Sequence, residues 1–341
     1  VSAASASEGD LSTSGLHLFD RELIFVTGKG GVGKTTVAAG LARVAAHSGR
    51  RTLICEMDAK GDLGPAVIGP AGDGVTDAGS EHISLGFTPT EVAPNLWAMA
   101  MNTEDSLREY LRLFLRIPLV GRIGSLASTF DFVASAAPGV KEILAVGKLC
   151  HEVRQGNYDL VIVDAEASGH IVAQIGAPIV IRELVALGPI RDQTAWMSEI
   201  LTDPRRTAVI AVTTPEEMAV IETVELAQRL RSQAGVDLSM VVANRVLPAL
   251  FDRRRLDLLD RIGPLIPIDS EWGQIVASAS SADRRRRVGA GHLDDLRSRL
   301  VESSFGGVET LNLPEIRFDV AGPTVVCAVS SALAGELDVE F

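Results

Sequence analysis

Leu23-Ile24-Phe25-Val26-Thr27-Gly28-Lys29-Gly30-Gly31-Val32-Gly33-Lys34-Thr35-Thr36 is the stretch whose reading decides the fold. An apolar run of strand length enters a glycine-rich turn, and a helical pattern rich in Ala38, Ala39, Leu41, Ala42, Ala45 and Ala46 leaves it. Gly28, four intervening residues and then Gly33-Lys34-Thr35 match the Walker A spacing, in the strand–turn–helix setting the motif requires. Glycines permit positive φ and let several backbone N–H groups converge on one anion, here through Gly28, Gly30, Gly31, Val32, Gly33 and Thr36. The helix aims the positive end of its dipole at the same point. Lys34 is then placed to reach the β- and γ-phosphates and Thr35 to offer its hydroxyl to Mg2+, while Gly49 caps the helix C-terminus.

Working outward, the 341 residues with 46% hydrophobic content can bury a large core, and one large α/β domain accounts for them. The expected division is a disordered leader over 1–18, a core domain over 19–320 with a helical insertion at about 102–155, and a C-terminal tail over 321–341. No apolar run reaches the roughly 18 residues of a membrane span and no signal peptide is read, which points to a cytoplasmic protein without direct membrane insertion. A formal charge of −12 opposes general attraction to nucleic acid or anionic lipid. Arg253-Arg254-Arg255 and Arg284 to Arg287 lack interleaved aromatics and read as solvated faces. Cys55, Cys150 and Cys327 form no close pair, and the histidines have no ligand spacing, so neither a disulfide framework nor a structural zinc is expected.

Arg51 to Cys55 reads as a second buried strand, delivering Glu56-Met57-Asp58-Ala59-Lys60-Gly61-Asp62 at the strand edge where ligands bind in parallel α/β sheets. Acidic groups there can hold metal-bound water or orient an attacking water. Residues 61–86 read as a loop and Asn95 to Met101 as a strand. A helical block follows, with Leu107, Tyr110, Leu111, Phe114 and Leu115 on one face and a fresh start at Pro138-Gly139. Asp159-Leu-Val-Ile-Val-Asp164 is a Walker B strand whose terminal carboxylate meets Mg2+ through water. Helices are expected over 171–187 and 192–201, then a strand over 208–212 and a helix opened by Thr214-Pro215-Glu216-Glu217. Leu238 to Asn244-Arg245 reads as another buried strand, with Asn244 at its tip, where an asparagine also suits a turn. Helices around 256–259 and 293–300 and a strand tip at Ile266-Pro267-Ile268 complete the pattern.

Lys29 lies outside what an ordinary Walker A loop asks for and alone could be a solvated turn residue. The whole string Lys29-Gly-Gly-Val-Gly-Lys34-Thr-Thr, however, resembles the deviant Walker A loop shared by nitrogenase iron protein, the chromosome-partitioning and Min-type ATPases, the arsenite-pump ATPase and the tail-anchored-protein targeting ATPase. That resemblance implies that Lys29 crosses a dimer interface to a partner's nucleotide. It also implies an essential aspartate after the second strand; Asp58 is chosen, although counted from the strand it sits one position late and leaves Met57 at the usual place, so Glu56 and Asp62 stay as competitors and an Asx turn at Asp58 stays open. Ala165-Glu166-Ala167-Ser168-Gly169-His170 resembles switch II, departing at Glu166 and Ser168, and Gly169 is assigned to approach the γ-phosphate. The helical block and Pro138-Gly139-Val140-Lys141-Glu142 resemble the helical subdomain of the arsenite-pump and targeting enzymes, so the resemblance spans roughly residues 20–315.

What the resemblance implies is an α/β, doubly wound, mainly parallel sheet with an α-helical insertion, binding ATP and Mg2+ as a homodimer or as a heterodimer with a related subunit. Asn244 and Arg245 join the nucleotide site, with Lys29, Lys34, Asp58 and Asp164 as the catalytic set. Hydrolysis would serve a membrane-protein partner or a hydrophobic client, in the cytoplasm and peripherally at the inner face of the membrane. The alternative is a nucleotide-gated interaction module with little turnover; a small-molecule kinase fits the lysine and switch strings less well. The missing metalloid-binding cysteines make an arsenite role nominal, and the missing basic amphipathic C-terminal helix sets the Min-type relatives aside.

Overall fold

The computed structural model describes residues 16–57, 61–68, 85–102, 105–106, 109, 140–184, 189–303, 308–316 and 323–341. The expectations for Asp58, for Leu107, Tyr110, Leu111, Phe114 and Leu115, and for Pro138-Gly139 lie outside them. Among the described residues eight strands form one sheet in the order β3-β4-β2-β5-β1-β6-β7-β8. They are β1 (Leu23–Gly28), β2 (Thr52–Glu56), β3 (Thr90–Ala93), β4 (Leu96–Ala100), β5 (Leu160–Ala167), β6 (Thr207–Thr213), β7 (Met240–Val246) and β8 (Glu309–Pro314). All neighbours pair in parallel except β3, which runs antiparallel on the β4 edge. From central β1 the chain winds one way to β2 and β4, returns through β5 and then fills the other side with β6, β7 and β8. The sheet is the mainly parallel, doubly wound α/β architecture expected.

The central strands are apolar on both faces because helices cover both. Ile24 and Val26 of β1 pack toward the alanine-rich α2 (Lys34–His47), and Leu23 and Phe25 toward the opposite layer. That layer holds α4 (Val140–Gln155), α5 (Ser168–Leu184), α6 (Pro189–Thr202), α7 (Glu217–Arg229) and the C-terminal half of α9 (Glu271–Glu302). Short helices α1 (Leu16–Phe19) and α3 (Leu63–Val67) flank α2 on its own side. α8 (Arg253–Ile262) buries no residue, and Leu258, Leu265, Ile268, Trp272 and Ile275, along α8, the turn after it and the start of α9, are exposed.

Several elements differ from the sequence reading. Ile266-Pro267-Ile268 is a turn, not a strand: a 3-10 turn at Gly263–Leu265 leads into it and Ser270 caps α9 by accepting from the Gly273 N–H. α5 starts at Ser168, directly off β5, and α6 already at Pro189. Within the segment set apart as a tail, α10 (Pro323–Glu336) packs on α2, with Val326, Val329, Leu333 and Ala334 in the core. Gly40 makes this approach possible, since an added Cβ there would stand 2.9 Å from Leu333 Cδ1.

Candidate functional site

The site is assembled where β1, β2 and β5 end on the same edge of the sheet. Gly28 has φ +143°, and a Cβ on it would collide with the Val212 carbonyl of β6, so only glycine lets the loop leave the sheet here. Gly33, at φ +96°, forms the left-handed entry to α2 and would press a Cβ to 2.5 Å from Asn244 Nδ2. The first turn of α2 thus begins at Lys34 and Thr35 with its N–H groups toward the loop.

Thr35 Oγ1 donates to Asp164 Oδ2 at 2.7 Å, joining the helix start to the Walker B strand. Lys34 Nζ donates to the Lys29 carbonyl at 3.1 Å, spanning the loop from within. A cavity of about 520 Å³ opens over this arrangement, lined by the loop, Glu56, Asp62, Asp164 to Ala167, Arg245 and, from α10, Val325 and Val326. Burial pushes the Asp164 carboxyl up to about 6; the Thr35 hydrogen bond and the Lys34 charge oppose the rise, and the charges of Glu56 and Asp62 add to it. Burial likewise raises Glu56, with the nearby backbone N–H groups of Asp62, Leu63 and Gly61 opposing the rise; of these the Asp62 N–H donates to Glu56 Oε1 at 3.0 Å.

Asp164 Oδ1 is buried with no hydrogen-bond partner in the protein, beside the Thr35 hydroxyl. A carboxylate oxygen and a hydroxyl next to a phosphate cradle suit Mg2+, which keeps several waters and binds through one or two carboxylates plus phosphate oxygens. Among the described residues no group of three or more His, Cys, Asp or Glu forms a self-sufficient metal cage.

The remaining expected residues divide. Arg245 lines this cavity and also a second one of about 860 Å³, between α9 and the ends of β6, β7 and β8. Its backbone is left-handed, φ +59°, held by its N–H donating to Asn244 Oδ1 at 2.9 Å. Asn244 Nδ2 donates to the Val32 carbonyl at 2.8 Å, so this side chain braces the phosphate loop from beneath. Gly169 lies in the first turn of α5 with open space beside it, its carbonyl accepting from Arg229 Nη2 at 3.4 Å. Glu166 Oε2 lies 3.3 Å from His170 Nδ1, one turn along, while its carbonyl accepts from Thr27 Oγ1 at 3.0 Å. Lys29 Nζ meets Glu222 Oε1 of α7 at 2.8 Å on the outer side of the loop. Nothing local in the sequence marks Glu222; only the packing of α7 brings it there.

A glycine cradle on the central strand, with lysine and threonine leading the next helix and an aspartate one strand away, defines a P-loop α/β protein. The chain belongs to the anion-transporting ATPase family, whose sequence model matches residues 21–194 and 182–257. It is similar to the ATPase BagA of Mycobacterium tuberculosis, 29% identical over 240 residues, covering 69% of this chain and 68% of the relative. It is also similar to the ATPase ASNA1 homolog of Entamoeba dispar, 26% identical over 264 residues, covering 66% and 76%. The ATPase get3 of Neurospora crassa is 26% identical over 259 residues, covering 66% and 73%. Among the described residues no helix is long and apolar enough to cross a membrane.

Proposed function

We propose that this protein is an Mg2+-dependent ATPase that dimerises around ATP and couples hydrolysis to a membrane transporter or to delivery of a client protein. The observation that carries this reading is the 2.7 Å bond from Thr35 Oγ1 to Asp164 Oδ2 at the foot of a glycine cradle facing Lys34. Backbone N–H groups of Gly30 to Thr36 and the Lys34 ammonium hold the phosphates and offset charge developing on them, which is the main lever in phosphoryl transfer. Thr35 and Asp164 hold Mg2+, which when bound supplies positive charge at the phosphate oxygens. Because Arg245 borders both cavities, the nucleoside end extends past it toward the larger one. Asp58 orients the attacking water and Gly169 relays the loss of the γ-phosphate to α5. Asn244 acts through the loop it braces.

Lys29 exchanges Glu222 for the partner's nucleotide when two chains close. The 3.3 Å contact of the Glu166 carboxylate with His170 supports turnover over a non-hydrolysing gate, because it gives that carboxylate a partner besides the cavity it borders. The helical block at about 102–155, set within a core domain over 19–320, carries the coupling to transporter or client, and α10, from the segment beyond 320, closes the flank of α2 and one wall of the nucleotide cavity. The family's description as anion-transporting favours the transporter arm, and similarity to the get3 ATPase the client arm. The test is phosphate release with and without Mg2+: wild type turns over ATP, Lys34→Ala does not. Equal turnover in the two proteins removes the proposal.

A further inference from the structure

We propose that Glu56 is a second metal-holding carboxylate, sharing Mg2+ with Thr35 and Asp164. Glu56 closes β2 and Asp164 lies in β5, and the two are register partners in adjacent parallel strands. Their side chains therefore leave the same face of the sheet about 4.8 Å apart at the backbone. The Met57 N–H donates to the Asp164 carbonyl at 3.1 Å and fixes this pairing at its tip.

Glu56 is only 3% exposed and Asp164 7%. Each spends one oxygen on the protein: Glu56 Oε1 accepts from the Asp62 N–H at 3.0 Å, Asp164 Oδ2 from Thr35. The other oxygen of each, Glu56 Oε2 and Asp164 Oδ1, is buried with no hydrogen-bond partner, and both residues line the phosphate-loop cavity. A buried carboxylate is expensive unless a cation or donors satisfy it. A structural role for Glu56, capping the turn at Asp62, uses Oε1 alone and leaves Oε2 unexplained. One divalent cation between the strand tips answers both orphaned oxygens, with two carboxylates, one hydroxyl, phosphate oxygens and water as a donor set that suits Mg2+. Asp62, by contrast, is exposed and free to turn to solvent.

The inference rests on the proposed nucleotide site but is tested apart from it. The probe is Mn2+, followed by the resonance of the free ion, on the full chain with and without a non-hydrolysable ATP analogue. Glu56→Gln keeps the acceptor for Asp62 and removes only the charge. It is expected to raise the half-saturating metal concentration about 10- to 100-fold, with metal-free nucleotide affinity preserved or tightened. Glu56→Asp, which keeps the charge but draws it back, is expected to fall between, and the unfolding midpoint of each variant reports its folding. Metal binding by Glu56→Gln within twofold of wild type overturns the inference while leaving the nucleotide reading intact. Glu56-dependent Mn2+ binding in a protein that takes up no nucleotide sinks that reading and supports this one. Wild type that binds no Mn2+ under either condition overturns it.

Discussion

On the inner wall of the phosphate loop, Lys34 opens α2 and lines the cavity with Thr35 and Asp164, two groups bonded to each other at 2.7 Å. On the outer wall, five residues earlier, Lys29 faces α7 and meets Glu222 at 2.8 Å with both side chains about one-third exposed. The inner groups are held by backbone geometry and burial, the outer pair by an ion pair that water screens. One loop thus carries a rigid wall and an exchangeable one, the arrangement that the proposed dimerisation needs.

The largest effect expected is at the inner wall. Lys34→Ala should lower ATP turnover by about 10²- to 10³-fold, comparable to removing one charge-stabilising donor, as read in phosphate release. If the loss is under tenfold, the inner wall is not where charge is offset. Next comes pH. Because Asp164 titrates at about 6 in the folded protein, protons compete with metal there. Mg2+ affinity should be flat above that value and fall about tenfold per unit below it, and Asp164→Asn should weaken binding and remove the dependence. The same raised value means that Asp164 favours the metal-free fold at acid pH, a contribution lost as pH rises from the ordinary carboxylate range through 6. Metal titrations and thermal unfolding across pH 4–8 check both signs.

Asn244→Ala removes the strut between β7 and the loop and should cost about 1–3 kcal/mol of stability, as measured by denaturant unfolding. Loss of nucleotide affinity without loss of stability would instead make Asn244 a direct ligand. The smallest effect should come from the outer wall. Releasing Lys29 by Glu222→Gln forfeits a pair worth about 0.2–1 kcal/mol, so ATP-dependent dimerisation should strengthen by no more than about fivefold. Lys29→Ala should bind nucleotide normally yet fail to dimerise in sedimentation. Impaired nucleotide binding in that variant would dissolve the distinction between the walls.

The sequence made β1, the loop, α2 and the Walker B strand legible because each is a local pattern: apolar runs, glycines at fixed offsets, a carboxylate at a strand tip. Edge strands β3 and β8 were missed since half-exposed residues blur the alternation, burial being mixed along both. Helix α10 escaped notice because small and apolar residues surround it and give almost no amphipathic signal. Asn244 could be placed at a strand tip but its direction could not, since Val32 reaches it only through tertiary packing. The Lys29–Glu222 pair is invisible for the same reason. Glu56 was legible as a candidate, and its distinguishing mark, an oxygen without a partner, exists only after β2 and β5 are side by side.

The seat of α10 on α2 carries a consequence for the order of events in synthesis. Gly40 touches Leu333 across roughly 290 residues of chain, a separation that makes this contact among the slowest to form. Until it forms, the helix that presents Lys34 and Thr35 has one flank bare to water. A nascent chain can therefore complete its central strands well before α2 is fully clasped, and the last wall of the cavity, Val325 and Val326, arrives only with α10.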